Sequence, residues 1–300
     1  MAILGLNEEE YFMCGHRACT GCGQALGLRH TIKAAGKNTI IAMATGCGEV
    51  FSTPYPYTAW KVPWIHVAFE NVAAVASGID AALRKLGKKN INILAIAGDG
   101  GTYDIGFQAL SGMVERGHKV CFVCMQNGGY QNTGNQRSGS TNKYEDTTTS
   151  PYGKKIHGKM EWPKPMPFII TAHNNKVYVA TASVAFPQDL AKKVQKGLAH
   201  NGPSYIEVDV PCPLGWRHNS SMSIEVAKKA FETNFFPLFE IEDGMLKFSK
   251  KPSEPKPVEE YLKLQGRFKN MTKEEIADVQ KYVDERWEKL NKMEEGKIRL

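Results

Sequence analysis

Four of the seven cysteines have neighbours that suit a metal site. Cys19 and Cys22 form a C-x-x-C pair flanked by glycines, while Cys47 and Cys212 each follow an apolar run. Small or imino residues beside all four allow close backbone approach and offer N–H donors to sulfur. Four thiolates can bind a tetrahedral zinc ion or a [4Fe–4S] cluster, and the spacing leaves both open. The wide separation of Cys22, Cys47 and Cys212 indicates a site that joins distant parts of one fold.

The other three cysteines are not assigned to that site. Cys121 and Cys124 also form a C-x-x-C pair, but they lie within an apolar run that predicts a buried strand. Their side chains should point to opposite faces of the sheet, as small core hydrophobes. Cys14 is undecided, with a structural role favoured. In a chain expected to be cytoplasmic, an odd, clustered set favours metal binding plus core thiols over disulfides.

A second chemical signal follows two apolar runs. Residues 98–101 (Gly-Asp-Gly-Gly) end one run, and Asn127 follows the next. The glycines and a helix N-terminus suit phosphate, and Asp99 offers a hard oxygen ligand to Mg²⁺. Because adjacent strands lie about 5 Å apart, Asn127 and the backbone carbonyl of Gly129 could bind the same ion. We therefore predict a diphosphate–magnesium site, the alternative being that Gly-Asp-Gly is an ordinary turn.

Alternating helical and strand patterns from about residue 22 to 210 position these residues. Short apolar runs alternating with helices predict an α/β fold with a doubly wound, mostly parallel sheet. Ligands of such sheets bind outside the carboxyl ends of the strands, where the glycine-rich turns fall. Residues 140–168 lack periodicity, which favours a functional or interface loop. The helical patterns cover residues 24–35, 69–86 and 187–199, and the apolar runs cover 38–44, 91–97, 120–125, 177–180 and 205–208.

The chain changes character after about residue 240. Residues 250–257 (KKPSEPKP) predict a linker, and Thr272 with Glu275 predicts a capping-box start for a helix. We expect an α/β domain over residues 1–245, then a linker and a helical C-terminal extension arm over 246–300. The arm must bury its apolar stripe against its own domain or another subunit. The stripe comprises Ile276, Val279, Val283, Trp287 and Leu290.

Composition excludes several classes of protein. The chain has 300 residues, 42% of them hydrophobic, which is enough for a substantial core. The net charge of +7 comes from scattered lysines, so a solvated basic surface is favoured over nucleic-acid binding. No apolar run approaches the roughly 20 residues that span a bilayer. The N-terminus turns acidic where a signal peptide would be basic and then apolar. We therefore expect a cytoplasmic protein that binds neither membrane nor nucleic acid.

Several stretches together resemble one family. The Gly-Asp-Gly motif, followed about thirty residues later by Asn, resembles the thiamine-pyrophosphate signature. The sequence is similar to the β subunits of pyruvate:ferredoxin oxidoreductases (pyruvate synthases) and their branched-chain 2-oxoacid relatives. The resemblance extends from about residue 12 to 270. The stretches that carry it are residues 15–22, 44–47, 63–71, 98–106 and 132–138.

This resemblance implies a fold of the thiamine-diphosphate-binding type and roles for individual residues. Zinc becomes a minor alternative, because the family's cysteines bind the [4Fe–4S] cluster nearest the thiamine. Asn132 matches a residue that reaches the reacting end of the cofactor, and is the catalytic candidate. The cluster ligands match Cys19, Cys22, Cys47 and Cys212, and the Mg²⁺ ligands match Asp99, Asn127 and Gly129. The remaining thiamine-pyrophosphate candidates are Thr45, Gly46, Glu70, Asn71, Gly98, Gly100 and Gly101.

The resemblance also implies a reaction and partners. The reaction is the reversible oxidative decarboxylation of pyruvate with coenzyme A to acetyl-CoA and CO₂. Electrons pass through the cluster to ferredoxin. The family's α subunit supplies the Glu that activates the cofactor, so this chain is expected to be inactive alone. A γ subunit and a ferredoxin-like δ subunit are expected in a dimer of heteromers.

One stretch departs from the family pattern. Residues 126–130 read Gln-Asn-Gly-Gly-Tyr where the family commonly has Asp-Asn-Glu-Ala-Tyr. Replacement of the two acidic residues by Gln126 and Gly128 indicates either neutral change or a less negative pocket, suited to a substrate such as oxalate. Branched-chain 2-oxoacids and oxalate are therefore the alternative substrates. A non-redox thiamine decarboxylase would not need the cysteines, and a non-catalytic metal-stabilised scaffold would not need Asp99 and Asn127.

Overall fold

The core of the fold is a mostly parallel β-sheet. A computed structural model of the chain describes residues 5–6, 8–173 and 176–297. In these residues eight strands form one sheet in the order β2-β1-β3-β4-β6-β5-β7-β8. The first six are parallel, and β7 and β8 add an antiparallel edge. The strands are β1 (Thr39–Ala44), β2 (Trp64–Val67), β3 (Asn92–Gly98), β4 (Cys121–Gln126), β5 (Tyr178–Ser183), β6 (Ser204–Asp209), β7 (Leu238–Glu242) and β8 (Met245–Lys250).

Helices cover both faces of this sheet, so the predicted doubly wound α/β class is confirmed. A π-helical turn, Gly100–Asp104, follows β3, and short 3₁₀ turns lie at Ser220–Met222 and Gly266–Phe268. The α-helices are α1 (Gly23–Ala35), α2 (Cys47–Ser52), α3 (Val72–Lys85), α4 (Phe107–Glu115), α5 (Met166–Thr171), α6 (Pro187–Ala199), α7 (Pro213–Trp216), α8 (Ser223–Glu232), α9 (Glu259–Leu262) and α10 (Lys273–Glu294).

The sheet separates two hydrophobic layers. Leu28 of α1 and Leu190 of α6 pack on one face, whereas Leu110 of α4 packs on the other. Cys121 belongs to the first layer and Cys124 to the second, and both are fully buried. The prediction that these two cysteines are core residues on opposite faces of one strand is therefore confirmed.

The C-terminal region contributes to the sheet as well as to the helices. Lys250, expected to begin the linker, is instead the last residue of β8, which pairs with β7. The expected boundary between residues 245 and 246 thus falls at the start of a strand. Val279 and Val283 of α10 are buried against this same chain, and the Thr272–Glu275 capping box is present. The division into two domains stays a prediction.

Long apolar helices are absent from the described part of the chain. Its longest helix, α10, has 22 residues, of which many are charged. Within the described ranges, no helix combines the length and the hydropathy needed to cross a membrane.

Candidate functional site

The predicted site residues meet at the carboxyl edge of the parallel strands. Thr45 follows β1, Asp99 follows β3 and Asn127 follows β4. The register pairs Met43 with Ile96 and Gly98 with Met125, so the three strands end side by side. Parallel pairing alone accounts for this convergence, because it aligns the carboxyl ends of neighbouring strands.

Three oxygen atoms converge between β3 and β4. The side-chain carbonyl oxygen of Asn127 faces two more oxygens, 2.9 Å from Asp99 Oδ1 and 3.0 Å from the carbonyl oxygen of Gly129. No proton lies between these three acceptors. Turning the amide over would convert both contacts to hydrogen bonds with the side-chain nitrogen. In either orientation, the Asn127 side chain lies beside Asp99 Oδ1 and the Gly129 carbonyl.

Asp99 is 1% exposed, and two serine hydroxyls donate to one of its carboxylate oxygens. Its Oδ2 accepts hydrogen bonds from Ser138 Oγ at 2.5 Å and Ser140 Oγ at 2.7 Å. Burial raises the pKa of this carboxyl to about 6, and the two serine hydroxyls counteract part of that rise. Sequence reasoning did not assign a role to either serine. Ser138 ends the 132–138 stretch and Ser140 begins the irregular loop, and their type alone gives no sign of this contact.

A cavity of about 210 Å³, here called the cation cavity, surrounds these oxygens. The Asp99 carboxylate is the one acidic side chain that lines it among the described residues. Glu70 and Asn71, expected in the pocket, lie outside it, exposed at the start of α3. The predicted residues that do line it are Thr45, Gly46, Cys47, Gly98, Asp99, Gly100, Gly101, Asn127, Gly129 and Asn132.

The glycines of the 98–101 turn have different surroundings. A Cβ at Gly98 would meet nothing within 4 Å, so this position leaves open space in the cavity. A Cβ at Gly100 would lie 2.5 Å from the ring of Tyr130. The Tyr130 hydroxyl in turn donates to Asp104 Oδ2 at 3.1 Å, which links the π-helical turn to the loop after β4.

The four predicted metal-binding cysteines line a second cavity, of about 330 Å³, here called the cysteine cavity. Cys22 and Cys212 are the N-caps of α1 and α7, and Cys47 is the first residue of α2. Burial raises the pKa of Cys22 to about 11 and that of Cys47 to about 12. Backbone N–H groups oppose this rise at two sites, through Ala25 at Cys22 and Gly215 at Cys212. Cys14 is exposed and does not line this cavity.

The two cavities adjoin. Four residues line both of them, at the junction between the oxygen ligands and the cysteines. The negative charge of Asp99 also raises the pKa of Cys47. Asn132, the catalytic candidate, lies at this junction. The shared residues are Gln24, Cys47, Asn127 and Asn132.

The two positions that depart from the family pattern do not line the cation cavity. Gln126 lines a separate inner cavity of about 100 Å³, together with Glu207 and Asp209. Gly128 has a φ of 77°, and a Cβ there would lie 2.9 Å from Arg267 Nη1. These positions therefore cannot make the cation cavity less negative by direct contact. Whether these replacements are neutral or favour a substrate such as oxalate stays a prediction.

A polar cluster that sequence reasoning missed borders the cation cavity at Thr45. The Thr45 hydroxyl donates to the carbonyl of Val67 at 3.2 Å and lies 2.7 Å from His66 Nε2. The Thr45 hydroxyl is thus held between His66 Nε2 and the Val67 carbonyl. Glu49 Oε2 lies 3.9 Å from the same nitrogen. His66 stands in the 63–71 stretch, where its contact with Thr45 depends on β1–β2 pairing.

Comparison with known proteins connects this geometry to a family. The family model described as thiamine pyrophosphate enzyme, C-terminal TPP binding domain, matches residues 44–208, more than half of the chain. The pyruvate synthase subunit PorB of Methanocaldococcus jannaschii is 52% identical over 293 residues, covering 95% of this chain and 98% of that protein. The Thermotoga maritima PorB is 49% identical, covering 94% and 91%.

Relatives with another named substrate are nearly as similar. The ketoisovalerate oxidoreductase subunit VorB of Pyrococcus furiosus is 47% identical, covering 96% of this chain and 94% of that protein. A solved 2-oxoglutarate:ferredoxin oxidoreductase of Magnetococcus marinus has the same fold, with a TM-score of 0.61 and 20% identity, covering 90% and 94%. The chain therefore belongs to the thiamine pyrophosphate-binding β subunits of the 2-oxoacid:ferredoxin oxidoreductases, the family of the pyruvate synthase subunits PorB.

Proposed function

We propose that this chain is the β subunit of a pyruvate synthase, which oxidatively decarboxylates pyruvate with coenzyme A to acetyl-CoA and CO₂. Electrons leave through a [4Fe–4S] cluster to ferredoxin, and the reaction is reversible. The observation that carries the proposal is the junction between the oxygen ligands and the four-cysteine cavity. A non-redox thiamine enzyme would need the first site without the second.

The oxygen ligands fit Mg²⁺. An octahedral ion with metal–oxygen distances of 2.0–2.1 Å holds neighbouring ligand oxygens about 3 Å apart. Asn127 makes contacts of 2.9 Å and 3.0 Å to Asp99 and Gly129. The ion would offset the mutual repulsion of these oxygens and stabilise the buried Asp99 carboxylate. Asp99, Asn127 and the Gly129 carbonyl would thus bind Mg²⁺, which would hold the diphosphate of thiamine pyrophosphate.

The cysteines fit a cluster better than a single ion. Zinc requires four sulfurs about 2.3 Å from one point, whereas these cysteines surround a cavity of about 330 Å³. In the described ranges, no three His, Cys, Asp or Glu side chains are arranged to bind one metal ion. Cys22, Cys47 and Cys212 also begin helices, whose N–H groups favour negatively charged sulfur. Together with Cys19 they would bind the [4Fe–4S] cluster.

The chain's own residues then orient and connect the two cofactors. Thiamine pyrophosphate, when bound, supplies the carbanion-stabilising chemistry that decarboxylation needs. The open space at Gly98 admits it, and the Thr45 hydroxyl is held in one orientation by Val67 and His66. Asn132 lies where the two cavities meet, so its amide can contact the reacting end of the cofactor.

Pyruvate is the proposed substrate because the relatives at 49% identity and above in this comparison are named pyruvate synthase subunits. The VorB relatives at 47% support a branched-chain 2-oxoacid as the second candidate. The subunit names imply a complex, and we propose that an α subunit completes the active site. The γ subunit, the ferredoxin-like δ subunit, a dimer of heteromers and a cytoplasmic location stay predictions.

The test is an anaerobic preparation of the chain with its co-purifying partners. We expect bound thiamine, absorbance near 400 nm, and ferredoxin reduction that depends on pyruvate and coenzyme A. The Asp99→Asn variant should lose thiamine affinity by about 100-fold or more, since even indirect metal partners contribute roughly 10- to 100-fold. Its absorbance near 400 nm should remain. Faster turnover of 2-oxoisovalerate than of pyruvate would reassign the substrate, and absence of thiamine would overturn the function.

A further inference from the structure

The main-chain carbonyl of the metal ligand Asn127 is itself fixed by two side chains. Trp216 Nε1 donates to this oxygen at 2.6 Å, and Gln131 Nε2 donates to it at 3.1 Å. Trp216 is 1% exposed, so its hydrogen bond is shielded from water. Two donors on one carbonyl restrict the peptide plane that follows Asn127. They thereby restrict the direction of its side chain toward Asp99.

The indole of Trp216 is held from its other side by a buried ion pair. The Arg267 guanidinium lies 3.8 Å from the centre of the indole. Arg267 Nη1 bonds Glu145 Oε1 at 2.9 Å, and both side chains are almost fully buried. The Cβ position of Gly128 is 2.9 Å from the same guanidinium nitrogen, so the metal loop packs directly against this pair. This packing therefore holds the indole where its N–H donates to the Asn127 carbonyl.

Trp216 also belongs to the helix that begins at a cysteine ligand. In α7 the main-chain N–H of Trp216 donates to the Cys212 carbonyl at 2.8 Å, and the main-chain N–H of Gly215 donates to Cys212 Sγ at 3.4 Å. A Cβ at Gly215 would lie 1.8 Å from Gln131 Oε1, so glycine is what allows this contact. One short helix therefore contacts the cysteine cavity at its start and the metal loop at its end.

We propose that Trp216 is a positioning residue that sets the divalent-cation affinity of Asn127 and fixes the metal loop against the Cys212 helix. This inference rests on the proposed function. Its chemistry is simple: the indole N–H holds the Asn127 peptide so that the side chain stays beside Asp99 and the ion. Without that donor the carbonyl is left buried with a weaker partner, and the peptide that carries the side chain can move away from Asp99.

The test measures cation binding rather than turnover. The assembled complex with thiamine diphosphate is depleted of Mg²⁺ and titrated with Mn²⁺, whose free form is counted by room-temperature electron paramagnetic resonance. Trp216→Phe keeps most of the ring but removes the donor. We expect its Mn²⁺ dissociation constant to rise about tenfold or more, the range found for groups that orient metal ligands. A loss of stability should not explain the change in the dissociation constant, because Mn²⁺ binding is measured on folded, cluster-containing protein.

The matched control is Trp60→Phe. Trp60 is also buried, and its Nε1 donates to Ser52 Oγ at 2.9 Å, away from the metal loop. Its Mn²⁺ affinity should equal that of the unsubstituted complex. Equal affinity in Trp216→Phe, or an equal loss in both variants, would overturn the inference. If Trp216→Phe does not assemble, Gln131→Met decides, because it removes the second donor to the same carbonyl. Absence of Mn²⁺ binding in the unsubstituted complex would instead overturn the proposed function.

Discussion

At the scale of single residues, the site end of the sheet holds carboxyl groups that water would stabilise far better. Burial raises the pKa of Asp99 to about 6 and that of Glu207 and Asp209 to about 7. The proposed cation would compensate the charge of Asp99. Glu207 accepts hydrogen bonds from Tyr103 and Tyr205 at 2.6 Å and 2.9 Å. Asp209 accepts a hydrogen bond from Ser183 at 3.4 Å, and the positive charge of Arg267 offsets only part of the rise that burial causes in its pKa.

Asp209→Asn should therefore stabilise the chain, and more so at high pH. The pKa of Asp209 is raised from 3.8 to about 7, so its neutral form is favoured in the folded state. The stability that the neutral Asp209 carboxyl gives the folded chain is fully present below about pH 4, and it is lost as the pH rises through about 7. At pH 8 the variant should gain up to about 4 kcal/mol in free energy of unfolding. Urea unfolding at pH 5 and pH 8 measures this, and an equal gain at both would contradict it.

The cysteines permit a residue-scale prediction with its own internal control. Cys47→Ala should lose the absorbance near 400 nm and the bound iron, because a [4Fe–4S] cluster needs its four thiolates. Cys121→Ala removes a fully buried thiol from the core layer beneath the sheet. It should keep both signals while lowering the free energy of unfolding by about 1 kcal/mol. Iron retained in Cys47→Ala, or lost in Cys121→Ala, would remove this assignment.

Local sequence predicts some residues of the site better than others. Asp99 and Asn127 could be predicted because each ends an apolar run, and parallel pairing brings such ends together. Ser138 and Ser140 could not, because they reach Asp99 from the segment between β4 and α5, 39 and 41 residues away. Trp216 could not be predicted from local sequence either, since its contact with Asn127 spans 89 residues.

At the scale of elements, the buried strands were the easiest to predict and the edge strands the hardest. The apolar runs of β3 and β4 are buried on both faces, which produces a continuous hydrophobic signal. β2 is a four-residue edge strand with two exposed positions, and it was missed. β7 and β8 alternate in burial, and Asp243-Gly244 between them have φ values of 51° and 73°. An Asp-Gly pair between alternating runs is a hairpin signal that could have revealed them.

The turn between β3 and the π-helical segment yields a prediction that separates folding from binding. Gly100→Ala places a Cβ 2.5 Å from the Tyr130 ring, so the fold must shift, at a cost of about 1–3 kcal/mol. Gly98→Ala places its Cβ in open cavity space and should leave thermal stability nearly unchanged. It should instead weaken thiamine pyrophosphate binding, because that space is where the cofactor would lie. Thermal melts and cofactor titrations distinguish the two, and equal destabilisation would contradict this account.

At the scale of the whole molecule, the proposed function assigns this chain much of an active site but not all of it. In that proposal the oxygens bind a cation and the cysteines bind a cluster, and the two cavities share Asn127 and Asn132. The α10 stripe, which the sequence left free to pack on either subunit, is buried against this chain at Val279 and Val283. These two residues of the arm therefore pack on their own chain. We propose that a partner is needed at the open cation cavity.

The need for that partner leads to the prediction that the chain alone does not turn over 2-oxoacids. A thiamine enzyme requires a Glu beside the cofactor's aminopyrimidine, yet Asp99 is the one carboxylate of the described residues in the cation cavity. Asp99 accepts hydrogen bonds from Ser138 and Ser140 and is the proposed cation ligand, so it is not free for that role. The purified chain should bind cation and retain its cluster while showing no pyruvate-dependent dye reduction. Adding the α subunit should restore the reaction, and dye reduction by the isolated chain would show that the activating acid lies within it.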